Sequence, residues 1–236
     1  MISLIPIPGI PEIRPGDVLA DIIAQATQAD PALALVTGDV LVVTQKIVSK
    51  AEGRLVAVDP DDPHSHEYLV VDESVRVLRR REHLLVTETR HGFVCANSGV
   101  DRSNLDPGWA ALLPVDSDRS ARRIRDGLRA RLRIEVGVVI SDTFGRPWRQ
   151  GLTDVAIGCA GIAAVVDLRG ELDAHGREMQ VTTVCVADEL AGAAELVMGK
   201  TASIPVAIVR GVEGSWLRES SVKDEIVRSY AEDMFR

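Results

Sequence analysis

Two short polar segments of this chain hold the residue types that chemistry on charged substrates needs. Asp142-Thr143-Phe144-Gly145-Arg146-Pro147 follows the apolar run Val136 to Ile140. A carboxylate at a strand end is held rigidly at a sheet edge, where ligand crevices form in α/β proteins. The adjoining threonine adds a hydroxyl and a carbonyl, oxygen donors suited to a hard cation such as Mg²⁺ or Mn²⁺. Asp142 would equally serve as a turn cap on nearby amides, and the segment alone does not choose. Asn97-Ser98-Gly99-Val100-Asp101-Arg102-Ser103-Asn104 is the second segment, again directly after an apolar stretch. Asp101 there can hold a metal while Asn104 hydrogen-bonds a ligand; as a plain polar turn the same residues would be ordinary. One divalent ion clamped by Asp101 and Asp142 would neutralise phosphate oxygens during phosphoryl transfer.

Other charged motifs are weaker. Lys46 and Lys50 share one face if the segment after Thr44 is helical, and lysine is a compact charge suited to phosphates or simply to water. Gly199-Lys200-Thr201 resembles the end of a P-loop, but Ala194 stands where that motif needs glycine, and a helical pattern, not a strand, leads into it. No G-x-G-x-x-G follows any strand pattern. The five histidines show neither H-E-x-x-H nor finger spacing, and His64 and His66 fall in the Asp- and Pro-rich stretch Asp59 to Ser65 and just beyond, so no zinc site is indicated. Cys95, Cys159 and Cys185 lie among apolar neighbours and read as buried thiols of a reducing compartment.

The elements that must carry these groups are those of a mixed α/β chain. With 46% hydrophobic residues among 236 the chain can bury a large core, and with 3% aromatic residues that core is aliphatic. Asp39 to Thr44, Val136 to Ile140 and Ile204 to Val209 are continuous apolar runs, the pattern of strands buried on both faces. Ser74 to Leu78, Leu84 to Thr89 and Phe93 to Ala96 read as shorter strands. Ala121, Ile124, Leu128 and Leu132 recur at helical spacing after Ser117 or Asp118 as the expected cap. The arginines of that helix are expected to face water and pair with Asp118, Asp126 and Glu135. A second helix is predicted from about Ala187 to Met198, and a loop followed by a short terminal helix after Gly211. With 27 basic and 35 acidic residues the net charge is −8, which argues against a nucleic-acid binder. No apolar run approaches the roughly 20 residues a spanning helix needs, and no signal-type leader is apparent, so no membrane partner and a cytoplasmic location are expected.

Taken in order, the blocks Gly9-Ile10-Pro11, Gly16-Asp17, Gly38 to Arg54, Ala96 to Asn104, Ser141 to Arg149, Asp154 to Gly158, Asp167 to Gly170, Ala187 to Ala191 and Met198-Gly199-Lys200 resemble the coenzyme F420-0:L-glutamate ligase family. The likeness runs from Ile7 to Gly211. It implies a mixed α/β (α+β-like), two-lobed subunit, neither Rossmann nor P-loop, in an intertwined homodimer. Residues 1–211 would be the ligase domain and 212–236 a C-terminal loop and short helix. The tail from Ile226 resembles the junction to a nitroreductase-like domain in longer relatives.

The implied activity is GTP-dependent addition of L-glutamate to F420-0, then of further γ-linked residues, through an acyl phosphate. Mg²⁺ or Mn²⁺, as one or two ions, and K⁺ are the implied cofactors. Carried over by position, the metal ligands are Asp101, Asp142 and Thr143. The nucleotide contacts are Ile10, Pro11, Glu12, Ile13, Gln45, Lys50, Asn104 and the run Leu196, Val197, Met198, Gly199, Lys200, Thr201, Ala202 and Ser203. No catalytic side chain is assigned. Arg146, Arg149 and Arg169 are candidate anchors for the substrate's negative groups. Two positions depart from the family: Gln45 stands where relatives carry a smaller serine, and Lys200 where they carry a metal-binding glutamine. The alternatives are an amide ligase for a different acceptor and a nucleotide-binding module without activity.

Overall fold

In the computed structural model, which describes residues 1–234, the long apolar runs assemble one five-stranded sheet. Its order is β1 (Ser3–Pro6), β12 (Val206–Arg210), β2 (Val40–Thr44), β8 (Gly137–Arg146), β9 (Arg149–Ala160). Every pairing is antiparallel except β2 with β8, which run parallel with Val40 opposite Gly137 and Thr44 opposite Ser141. Side chains alternate across a strand, so Leu41, Val43, Val138 and Ile140 enter one core and Val40, Val42 and Val139 the other. Burial on both faces is why these segments are apolar at every position.

On the first face lie α1 (Leu19–Gln28), α2 (Gln45–Ala51) and α4 (Ser117–Leu132). The cap of α4 is Asp116, whose side chain accepts the Arg119 amide at 2.8 Å, rather than the expected Ser117 or Asp118. Asp118 turns inward and accepts the amides of Cys159 (2.8 Å), Val222 (2.8 Å) and Lys223 (3.1 Å). The arginine face does pair with Asp126 and Glu135, and also with Glu52, Asp21 and Glu219, but not with Asp118. On the second face α5 (Val186–Met198) buries Val186, Ala187, Leu190, Ala191 and Ala194. The segment after Gly211 returns to this face, and Val222 at the head of α6 (Val222–Glu225) is fully buried.

A smaller layer is built from β3 (Leu55–Ala57) paired with β7 (Trp109–Ala111), and from a second sheet of β4 (Ser74–Arg81), β5 (Leu84–Thr89) and β6 (Val94–Ala96). Helix α3 (Glu67–Asp72) closes it, and Leu69, Val70, Leu85, Val100, Ala110 and Leu112 form its own core. A short ladder, β10 (Val166–Asp167) with β11 (Thr183–Val184), links β9 to α5. No helix among the described residues is long and apolar enough to cross a membrane.

Helix α4 meets β9 at Gly158. A Cβ there would stand 2.3 Å from the Ser117 carbonyl carbon and 2.5 Å from its oxygen, backbone atoms that cannot swing aside. Gly158→Ala should therefore cost about 1–3 kcal/mol in urea unfolding. Gly192→Ala, whose Cβ would meet nothing closer than 3.5 Å, should be neutral or stabilising in the same assay.

Candidate functional site

The parallel pairing of β2 and β8 sets Thr44 beside Ser141, so the next residues, Gln45 and Asp142, emerge together at one edge of the sheet. Strand β8 does not stop at Ser141, as the apolar run suggests; it continues through Asp142 and Thr143 to Arg146 and forms a long hairpin with β9. Strand parity then splits the motif. Ser141 Oγ and Thr143 Oγ1 both donate to the buried Asp154, at 3.1 and 2.7 Å, on the face where Val139 packs with α5. Asp142 takes the opposite face, in line with Val138, Ile140 and Phe144.

The Asp142 carboxylate is embedded among protein atoms although part of the residue stays exposed. Burial pushes it up to about 7; the Thr143 amide, donating at 2.8 Å, opposes this, and the charges of Asp101 and Asp154 push further the same way. The Cys95 thiol on β6, raised to about 12 by burial and then by the charge of Asp142, is a protonated, unreactive neighbour.

Asp101 comes from the smaller layer, where it bridges Ala111 by backbone hydrogen bonds of 3.0 and 2.8 Å. Its carboxylate accepts the Ser103 amide at 2.6 Å and the Ser103 hydroxyl at 3.0 Å, and pairs with Lys46 Nζ at 2.7 Å. Burial raises this carboxyl, but Lys46 and Ser103 together hold it below the ordinary range. Lys46 also donates to the Ser103 carbonyl at 2.7 Å, so α2 fastens the loop that carries Asp101. Lys50, one turn on, pairs instead with Glu12, which brings the Ile10 to Ile13 segment against α2. Gln45 is 1% exposed; its Oε1 accepts the Ser49 hydroxyl at 2.8 Å, and its buried Nε2 has no hydrogen-bond partner among the described residues.

The turn after α5 completes the edge. Asn104 Nδ2 donates to the Lys200 carbonyl at 3.3 Å, which joins the Asp101 loop to the Leu196 to Ser203 region. The Lys200 ammonium bonds Thr143 Oγ1, Asp154 at 2.9 Å and Glu195 at 3.4 Å. Burial lowers its pKa, yet Asp154 and Glu195 carry it above the usual lysine value. Asp101, Asp142, Thr143, Asn104 and Lys200 thus meet at one edge, with Gln45 beside them. Arg146 and Arg149 lie further out at the hairpin tip. Arg169 is held by Asp167 of its own ladder, at 2.8 and 3.0 Å from Nε, rather than turned toward Asp101 or Asp142.

Two residues of the site escape a reading by motif. Asp154 is the centre of the Ser141, Thr143 and Lys200 contacts, and the signal for it is a carboxylate just before the continuous apolar run Val155 to Ala160. Lys46 stands out as a partner of Lys50 by spacing, but its tie to Asp101 is long-range. The arrangement offers two carboxylates, Asp101 and Asp142, near enough for the charge of one to act on the other, and on the other face of β8 an ammonium that holds a hydroxyl and a carboxylate.

Comparison with known proteins gives a consistent picture. The model of the family described as F420-0:Gamma-glutamyl ligase matches residues 9–211. The coenzyme F420:L-glutamate ligase of Methanopyrus kandleri is 40% identical over 248 residues, covering 98% of this chain and 96% of that protein. The protein of the same name from Methanothermobacter thermautotrophicus is 40% identical over 251 residues, covering 100% and 99%. That of Methanocaldococcus jannaschii is 37% identical over 233 residues, covering 92% and 90%.

Proposed function

This chain belongs to the F420-0:gamma-glutamyl ligase family, and from that premise we propose that it joins L-glutamate to F420-0 in a reaction driven by GTP and a divalent cation. The observation that supports the cation is the Asp142 carboxyl, which burial pushes up to about 7 with a further push from the charges of Asp101 and Asp154. A divalent ion held by Asp142 and Asp101 would favour the charged form that burial opposes, and oxygen donors of this kind suit Mg²⁺ or Mn²⁺. Thr143 faces the other side of β8 and is already held by Lys200, so the donors fit one ion at Asp101 and Asp142 more readily than a second at Thr143. When bound, such an ion offsets charge on phosphate and carboxylate oxygens.

The chain's own residues do the positioning. Lys46 fixes the Asp101 loop, Asn104 ties that loop to the turn after α5, and the buried Gln45 amide supplies a donor for a polar ligand group. A free carboxylate is a poor acyl donor because its charge repels nucleophiles; transfer of the GTP γ-phosphoryl group to it releases GDP and gives an acyl phosphate, which the glutamate amine attacks to form the amide with loss of phosphate and a proton. In this reading the protein contributes orientation and a fixed electrostatic field. Addition of further γ-linked glutamates and assembly as a homodimer belong to the same proposal.

Incubation with F420-0, glutamate, GTP and Mn²⁺, followed by weighing of the product, tests it. Mass gains of whole glutamyl residues are expected. GTP turnover only with another acceptor, or none despite nucleotide binding, overturns the reading. Lys200 supplies a further expectation. Lys200→Gln frees Thr143 and Asp154 from an ammonium, so the Mn²⁺ concentration for half-maximal rate should fall roughly tenfold, about 1.4 kcal/mol. The thermal midpoint should fall only modestly: Asp154, 5% exposed, loses its ammonium but keeps the Ser141 and Thr143 hydroxyl donors. An unchanged Mn²⁺ titration counts against any role of Lys200 at the cation.

A further inference from the structure

Outside the set of residues gathered at the sheet edge, three metal-ligating side chains meet where chain spacing gives no hint of it. His64 lies in the loop before α3, Glu67 is the first residue of α3, and His83 sits in the turn between β4 and β5. Glu67 Oε1 is 2.8 Å from His83 Nδ1 and 3.3 Å from His64 Nδ1, and one donor atom from each of the three lies within 4.8 Å of the others. The two imidazoles stack at 3.5 Å between centroids, 18° apart.

The frame around them is built before any ligand arrives. The His64 amide donates to Asp62 Oδ1 at 2.8 Å, Ser65 Oγ donates to the Asp59 and Asp62 carbonyls at 2.8 Å each, and the Glu67 amide donates to the His64 carbonyl at 2.9 Å. Leu69, Val70 and Leu85 anchor α3 and β5 in one core, which fixes Glu67 relative to the hairpin turn.

We propose that His64, Glu67 and His83 form a binding site for a divalent transition ion of the Zn²⁺ class. Two imidazoles and one carboxylate, with a water at the open position, are a donor set that suits Zn²⁺, Co²⁺ or Ni²⁺ far better than Mg²⁺ or Ca²⁺. Stacked rings cannot both aim a nitrogen in-plane at one ion, so the rings splay on binding; at 44% and 63% side-chain exposure they have room to do so. The ion would pin the Asp59 to His66 loop to the β4–β5 turn. That loop also receives Arg102, which donates to the Asp62 carbonyl at 3.0 Å next to Asp101. The site is therefore structural, with a mechanical link toward the sheet edge, and it does not depend on the ligase reading.

The test uses the untagged full chain, stripped of metal and titrated with Zn²⁺ in excess Mg²⁺, which saturates all-oxygen sites. One equivalent should bind, raise the thermal midpoint, and be lost in His64→Ala and in His83→Ala, while His66→Ala keeps it. Co²⁺ should give an intensified visible d–d band in the wild type and in His66→Ala, but not in His64→Ala or His83→Ala. No Zn²⁺ uptake, or weak multiple uptake of adventitious ions that the His64 and His83 variants leave unchanged, overturns the proposal. Both histidines are solvent-exposed, so the variants are expected to fold, and the metal-free thermal midpoint verifies it.

Discussion

Asp142→Asn is expected to cut Mn²⁺-dependent turnover by about 10²–10⁴-fold, the several kcal/mol that a cation's charge supplies to a phosphoryl transfer, while making the metal-free protein more stable. The two effects share one cause. In the folded chain Asp142 is raised from 3.8 to about 7, so the native state holds a proton that the unfolded chain gives up between those values. Folding is penalised as pH rises through that window; the penalty is absent below about 4 and complete above about 7. Asparagine carries no charge to bury. In a chelator at pH 8 it should gain about 2–4 kcal/mol over wild type in urea unfolding, and nothing at pH 4. Mn²⁺ should raise the thermal midpoint of the wild type and not of the variant. A variant with near-normal rate at limiting Mn²⁺ removes Asp142 from the site.

Asp101→Asn is expected to lose turnover on the same scale, yet to move stability the other way. Asp101 is held below the ordinary carboxylate range by Lys46 and Ser103, against the pull of burial. Its contribution is present above the unfolded value of 3.8 and fades as pH falls through the lower folded value. Asparagine leaves the Lys46 ammonium, 15% exposed, without its carboxylate. The expected loss is about 1 kcal/mol near neutral pH, kept modest because Asp101 is itself 34% exposed. Two neighbouring acids whose removal shifts stability in opposite directions while both abolish turnover would be hard to reconcile with a purely structural role. Parallel stability losses with retained turnover would show the edge to be scaffolding.

The sequence reads well where a residue's environment is set by its near neighbours in the chain. Val40 to Val43 are apolar at every position because both faces of β2 are covered, and that pattern needs no partner to be seen. The Ala121, Ile124 and Leu128 stripe marks α4 for the same reason. Reading failed where a distant segment decides. Asp118 looked like a cap or an ion-pair partner, but amides from residues 159, 222 and 223 claim it. Strand β8 looked finished at Ser141 because polar residues follow; β9 supplies the hydrogen bonds that extend it, and Asp154 supplies the acceptor that makes Ser141 and Thr143 tolerable inside a sheet. The candidate metal trio was legible as residue types, but the division of Asp142 and Thr143 between opposite faces follows only from strand parity. His83 lies 19 and 16 positions beyond His64 and Glu67, a spacing that no zinc signature contains.

The family signature stops at residue 211, but the mechanical unit does not. The carboxylate of Asp118 staples the start of α6 to the same helix turn that lies against Gly158, and Glu225 accepts the Val165 amide at 3.1 Å while gripping Arg218. A shortened version ending at the signature's limit would unplug Val222 from the second core and strand a buried carboxylate with two of its three donors gone. The practical minimum for recombinant expression is therefore set by where the load is borne, past residue 225, rather than by where kinship can be recognised.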